Sequence, residues 1–284
     1  MKDYTKTGAS SYCNYNEAFT SYDQVRQPNG LRELLQLFAQ TKIPLEEQQV
    51  LEGGFGTGAY IELIRHHVKA VYGVEGSDEG FRQAVRKMSN ATNVHLRVGT
   101  ILRLSFPDEF FHAYMVNQVV HHLDSDPTFP HLNVFLREGK RVLAPGGVLT
   151  INTSSHEQLD PHSGVYWHYN YIEKAACALK ARVVPLKELV LRLEALRFTD
   201  IEMTIPSGHL FHTRYYEDPS IALEAAFRKG DSVYCFLSYE EIEESNVRIR
   251  SAIEDGSVYE EMKRAATRAA EIGEAIIVSA RKAD

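Results

Sequence analysis

Residues 51–58 read Leu-Glu-Gly-Gly-Phe-Gly-Thr-Gly, and the reading of this stretch decides the fold. A short strand-like run, Gln49 to Leu51, leads into it, and a helix-like run, Ala59 to Arg65, leads out. A strand, a tight glycine turn and a helix N-terminus together make a nucleotide cradle. Glycine lets the backbone take positive φ and leaves no Cβ between chain and ligand. The helix start adds unpaired N–H groups and a partial positive charge.

Two cofactor classes fit this turn. Gly54-x-Gly56-x-x-Ala59 satisfies the dinucleotide fingerprint, with alanine as the permitted last residue. Glu52-x-Gly54-x-Gly56-x-Gly58 is equally an acidic turn with three alternating glycines. Lys69 to Ser77 then reads as a second buried strand ending in Glu75 and Gly76. Glu75 lies 23 residues beyond Glu52, where a βαβ unit brings an acid to a ribose diol. Such an acid serves both classes and does not separate them.

Three later stretches do. Asn93 to Ile101 reads as a third strand and its loop. Ala113 to Leu123 reads as a fourth strand ending in His121-His122-Leu123. Leu143-Ala-Pro-Gly-Gly-Val-Leu-Thr-Ile-Asn152 reads as the entry to a fifth. In this order and spacing, residues 20–153 resemble the class I S-adenosylmethionine (SAM) methyltransferases of the small-molecule type. The resemblance implies an α/β fold with a doubly wound, seven-stranded, mostly parallel sheet. It implies SAM as cofactor and S-adenosylhomocysteine as product.

The resemblance also carries residue roles. Glu52 is expected to hold the SAM ammonium, and the backbone of Gly54, Gly56 and Gly58 to admit the amino-acid portion. Glu75, with Gly76 behind it, is expected on the ribose hydroxyls. Asn117 and Gln118 follow the fourth strand, where the family contacts the amino-acid head. Tyr22-Asp23-x-x-Arg26-x-Pro28-x-Gly30 resembles a lid entrance, in which the Arg26 fork suits the SAM carboxylate; a surface salt bridge is the alternative. Two departures stand out. Gly99-Thr100-Ile101 replaces the frequent Gly-Asp-Ala, leaving Thr100 for the adenine edge and Ile101 for its face. His112 stands where the fourth strand usually begins with Asp.

Length and charge set bounds. At 284 residues, with 44% apolar residues, the chain can bury a sizeable core. Its net charge of −7 argues against a broad nucleic-acid face. The sequence has no apolar run long enough for a membrane span, and its polar N-terminus lacks a signal-peptide centre. Cys13, Cys177 and Cys235 lack metal-ligand spacing, and an odd, low count suits reduced thiols in the cytoplasm. A small-molecule partner is expected, with a homo-oligomer possible.

The chain reads as a single SAM-binding domain, 1–284, with an N-terminal lid at 1–30 and cap insertions at 154–182 and 206–273. Leu31, Leu34, Leu35 and Phe38 have helical spacing, and Pro44 closes that run. Asp200–Ile205 and Ala275–Ala280 read as the last two strands, with about 70 residues between them, too many for a bare loop. Within that insertion, Ser238-x-x-Glu241 is a capping box and Gly256 a helix stop.

Methyl transfer is an in-line displacement that needs alignment and exclusion of water, and a base only for an acceptor that arrives protonated. His121, His122 and His156 all fall just past predicted strands. His156 is the candidate base, and catalysis without one stays open. Tyr15 and Tyr22, with Tyr12, are expected at the mouth of the site. His122, Trp167, Tyr169 and Arg214 are expected to line the substrate wall, where rings bind a flat group or a cation. His209 and His212 supply only two ligands, so no metal is expected. The alternatives are a silent SAM-binding scaffold, other SAM chemistry on the same fold, or, more remotely, an NAD dehydrogenase.

Overall fold

The computed structural model describes Ser10 and residues 12–283. The expected lid therefore falls partly on residues 1–9 and 11, outside the described set. One sheet contains β1 (Gln49–Gly53), β2 (Ala70–Glu75), β3 (Val94–Val98), β4 (Phe111–Asn117), β5 (Leu143–Thr153), β6 (Phe198–Thr204) and β7 (Ile276–Lys282). Their order is β3-β2-β1-β4-β5-β7-β6. The first five are parallel, while β7 runs antiparallel to both β5 and β6. Chain order reverses between β1 and β4, so the connections leaving them diverge and open a crevice at their carboxyl ends.

The central strands are apolar on both faces, as a sheet covered twice requires. Val50, Val71 and Met115 pack with Leu34, Phe38 and Ile61 on one side. Their neighbours Leu51, Tyr114 and Val116 point the other way, to Phe135, Leu136 and Leu189. This two-residue alternation puts helices Leu31–Ala39 and Ala59–Ile64 on one face and Pro130–Val142 and Leu186–Ala195 on the other.

Segments 154–182 and 206–273 have an apolar core of their own. Tyr166, Trp167, Phe211, Tyr215, Phe227 and Val233 are buried together above the sheet's carboxyl edge. Each such large side chain contributes about 1.5–3 kcal/mol by leaving water. The helix Tyr239–Asp255 begins with the expected reciprocal capping box of Ser238 and Glu241 and ends at Gly256, φ 81°. Ser257–Ile272 follows directly and leads to β7. Among the described residues no helix is long and apolar enough to cross a membrane.

The cysteines depart from expectation. Cys13 and Cys235 are paired as a disulfide, with Cα atoms 5.6 Å apart across 222 residues of sequence. Only Cys177 is free. The N-terminal segment crosses from the glycine turn to the segment before Ser238, and no local spacing announces that crossing.

Candidate functional site

The crevice between β1 and β4 continues into one cavity. Glu52, Gly54, Gly56, Glu75, Asn117 and Gln118 form its floor, and Tyr15, Phe19, Tyr22 and Arg26 cover it. His121, His122, Ser154, Leu159, Tyr166, Tyr169, Leu210, Asp231 and Ser232 complete the far wall.

The floor is built by the glycine turn. Gly54 and Gly56 have φ of 68° and 55°. A Cβ on Gly54 would come within 2.7 Å of the Val119 side chain. Freed of side chains, the turn aims the Gly56 N–H at Glu75 Oε2, 2.8 Å away, while Ser77 N–H donates to Oε1 at 2.7 Å. Burial raises the Glu75 carboxyl, and these backbone donors oppose that rise.

Glu52 is 1% exposed. Asn117 Nδ2 donates to its Oε1 at 3.0 Å. Glu52 Oε2 and Asn117 Oδ1 are buried without a hydrogen-bond partner. Burial, opposed by the Asn117 bond and reinforced by nearby Glu75, pushes the Glu52 carboxyl up to about 8. Two orphaned acceptors side by side make a receptor for a donor-rich cation.

The turn after β4 positions the histidines. Gln118 takes φ 55°, uncommon for a residue with a side chain, and its N–H bonds Asn152 O at 2.8 Å. The chain then turns through Val120–His122. Tyr15 Oη meets His122 Nε2 at 2.7 Å, and Ser10 Oγ meets Nδ1 at 3.2 Å. Burial, with His121 and Arg182 nearby, holds His122 well below its ordinary value, so its ring is neutral. Burial likewise pushes His121 down to about 3 and Tyr15 well up.

The cover is anchored at both ends. Thr57 Oγ1 donates to Asp23 Oδ1 at 2.5 Å. Arg26 Nη2 donates to Asp231 Oδ1 at 2.8 Å, and the guanidinium lies 4.0 Å from the centre of the Phe211 ring. Asp231 Oδ2 meets His168 Nε2 at 3.1 Å, and His168 Nδ1 meets Tyr215 Oη at 2.9 Å. Burial alone would raise Asp231, but Arg26 and His168 outweigh it and hold it at about 2.

The model of the methyltransferase domain family matches residues 51–151. No curated protein matches the sequence as a relative. Among solved structures, a putative methyltransferase from an antibiotic biosynthesis pathway of Anabaena variabilis is similar, with TM-score 0.67 and 20% identity; the match covers 90% of this chain and 98% of that one. A putative methyltransferase of Bacillus halodurans has TM-score 0.55 and 20% identity, covering 89% of this chain and 99% of its own. Phosphoethanolamine N-methyltransferase 2 of Haemonchus contortus, solved with SAM, has TM-score 0.58 and 14% identity, with 95% of this chain and 57% of that one covered.

Residues 51–151 thus match a methyltransferase domain, on a fold that these solved structures share.

Of the residues expected at the methyltransferase site, the structure gathers Tyr15, Tyr22, Arg26, Glu52, Gly54, Gly56, Glu75, Asn117, Gln118, His122 and Tyr169 around one cavity. Gly58, Gly76, Thr100 and Ile101 do not line it. Gly58 caps the following helix at φ 81°, and Ile101 is buried against the β1 backbone at Gly53. Thr100 Oγ1 instead accepts from Leu102 N–H in its own loop.

Three further expectations need correction. His156 is not among the residues that line the cavity, and its Nε2 is engaged by Val183 O at 2.6 Å. Trp167 is sunk in the cap core, its Nε1 donating to Tyr215 O at 3.3 Å. Arg214 lies outside the cavity, paired with Asp218 at 2.9 Å and Glu224 at 2.6 Å. Arg26 does line the cavity, but through a buried ion pair, not a surface one. Phe19, Tyr60, Tyr166 and Asp231 went unassigned in the sequence. Tyr166 adjoins the aromatic run at 167–169, a usable signal; Asp231 stands 205 residues from Arg26 and offers none.

Proposed function

We propose that this protein transfers the SAM methyl group to an O, N or S atom of a modest-sized small molecule enclosed between the floor and the aromatic cover. The observation that carries this reading is the single cavity joining buried Glu52 and Glu75 to the Tyr15–His122 pair. The residues present fit SAM. Glu52 Oε2 and Asn117 Oδ1, both without partners, would receive its ammonium. Glu75, whose oxygens each keep a lone pair beyond the backbone bonds, would take the ribose hydroxyls. Bound SAM supplies a methyl group already activated on a sulfonium.

The protein's own task is alignment and exclusion of water. Tyr22, Tyr166 and Tyr169 wall the cavity with rings, and Phe19 closes over the glycine turn. His122 is the base that the geometry favours over His156. Its Nε2 lies 2.7 Å from the Tyr15 hydroxyl, and the hydrogen-bonded pair together can take a proton from an acceptor O–H or N–H.

Calorimetry with SAM and with NADH tests the cofactor; heat with SAM and none with NADH is expected. Release of S-adenosylhomocysteine over fractions of a metabolite pool tests transfer. NADH binding in place of SAM overturns the reading, and SAM binding with no turnover on any fraction favours a silent binder.

A further inference from the structure

The Cys13–Cys235 pair sits at the rim of the cavity. Cys13 precedes cavity-lining Tyr15 by two residues, and Cys235 follows cavity-lining Ser232 by three. The bond thus ties the segment that covers the glycine turn to the segment that carries Asp231. Its surroundings are shaped to bring the two together. Tyr12 stacks on Phe236 with ring centres 4.4 Å apart, and its hydroxyl meets Ser232 Oγ at 3.1 Å. Arg182 lies over both rings, 4.7 Å from Tyr12 and 5.4 Å from Phe236. The Cα separation of 5.6 Å falls in the range a disulfide spans without backbone movement.

The two cysteines differ in access. Cys13 is 7% exposed, whereas Cys235 is exposed to solvent. Exposed disulfides exchange readily with external thiols, and buried ones resist.

We propose that Cys13–Cys235 is a thiol–disulfide exchange site that latches the N-terminal cover shut, so that the redox state of a small thiol pool sets how fast the cavity opens. Oxidation proceeds by exchange with a low-molecular-weight disulfide, RSSR. The Cys235 thiolate attacks one of its sulfurs and expels RS⁻. The Cys13 thiolate then attacks the Cys235 sulfur of the mixed disulfide and expels the second RS⁻. The protein dithiol loses two electrons and two protons, and RSSR becomes two RSH. Reduction reverses each step at the exposed Cys235 sulfur.

The effect falls on opening and not on the closed geometry. The cover is already held without the bond by Asp23 on Thr57 and Arg26 on Asp231. Closing it also completes the site, since Ser10 and Tyr15, on either side of Cys13, both bond His122. Gating of the cofactor rests on the SAM reading above; the latch itself does not.

The test begins with the ligand-free chain in oxidised and in reduced glutathione. Peptide mapping is expected to join Cys13 to Cys235 in the first condition and leave Cys177 free. Amide hydrogen exchange over residues 12–26 is expected to slow at least tenfold on oxidation, a change lost in Cys235→Ser and kept in Cys177→Ser. Absence of the bond, or equal exchange in both conditions, overturns the latch. SAM dissociation, followed by stopped flow, should slow by a similar factor in the oxidised wild type only. Equal dissociation rates with the bond formed overturn gating. A latched chain that takes no SAM in either condition overturns the cofactor reading and the gating built on it, while the cross-link stands.

Discussion

The two halves of the cavity are built by different rules. The floor from Glu52 to Glu75 is made by consecutive elements, as where Gly56 N–H meets Glu75 across 19 residues, and only Asn117 and Gln118 join it from the next strand of the crevice. The far wall is made by contacts across 107 residues between Tyr15 and His122 and 205 between Arg26 and Asp231. The floor is a local consequence of a strand, a glycine turn and a helix. The wall exists only after the N-terminal segment has docked on the cap. On the proposed reading, the cofactor would rest on locally built structure and the acceptor against segments that tertiary packing assembles.

The comparison breaks most visibly at Asp231. It is 1% exposed and holds Arg26 and His168 together. Asp231→Ala leaves a guanidinium largely buried and unpaired, and a loss of about 3–5 kcal/mol in urea unfolding is expected. A loss below 1 kcal/mol would mean that water reaches Arg26 and that the wall is not sealed there. Next in size is the Tyr15–His122 pair. His122→Ala is expected to lower turnover about 100-fold, the lower end for acid–base catalysis, with SAM affinity nearly unchanged. His156→Ala should leave turnover within about twofold, because its ring is held by Val183 O and is not part of the cavity lining. Reversal of these two results would return the base to the loop after β5.

This contrast also explains what the sequence made legible. Strand positions could be read because Val50, Leu51, Val71 and Val74 alternate between two buried faces, a pattern that local order alone imposes. The capping box at Ser238 and the stop at Gly256 were legible for the same reason. Glu52, Gly54, Gly56, Glu75 and Asn117, which line the cavity, stand at or just past strand ends, a position the sequence displays. Trp167 and Arg214 misled because residue type suggests chemistry while only packing decides direction: Trp167 faces the cap core and Arg214 the surface acids. Thr100 and Ile101 misled for a related reason, since position after a strand does not fix which way a loop turns. The Cys13–Cys235 pairing had no local mark at all.

On the floor, Glu75→Ala is expected to weaken SAM binding by about 1.5–3 kcal/mol, the range for hydrogen bonds to a charged group. Calorimetry on the folded variant measures it. Because the Gly56 and Ser77 N–H groups lose their acceptor too, the glycine turn should also loosen, seen as faster hydrogen exchange at those two amides. Unchanged affinity would place the ribose elsewhere and separate the floor from the cofactor.

The effect most specific to the floor concerns Glu52. Burial raises its carboxyl from an ordinary 4.5 to about 8, so without ligand the folded chain holds a proton there that the unfolded chain releases. Between those two values the folded state binds more protons, and this group's contribution to stability falls as pH rises. Binding of an ammonium beside Glu52 favours the carboxylate and expels that proton. Affinity for SAM should therefore rise with pH by up to about tenfold per unit, from about pH 5.5 to about pH 7, where an amino group remains protonated. Proton release measured by calorimetry in buffers of different ionisation enthalpy should approach one per SAM at the lower end. Glu52→Gln, which keeps the shape and removes the titration, should flatten the profile. A wild-type profile that is flat, or that falls with pH, would mean that the orphaned Glu52 Oε2 does not face the ammonium, and the floor would then have to receive the cofactor by its backbone alone.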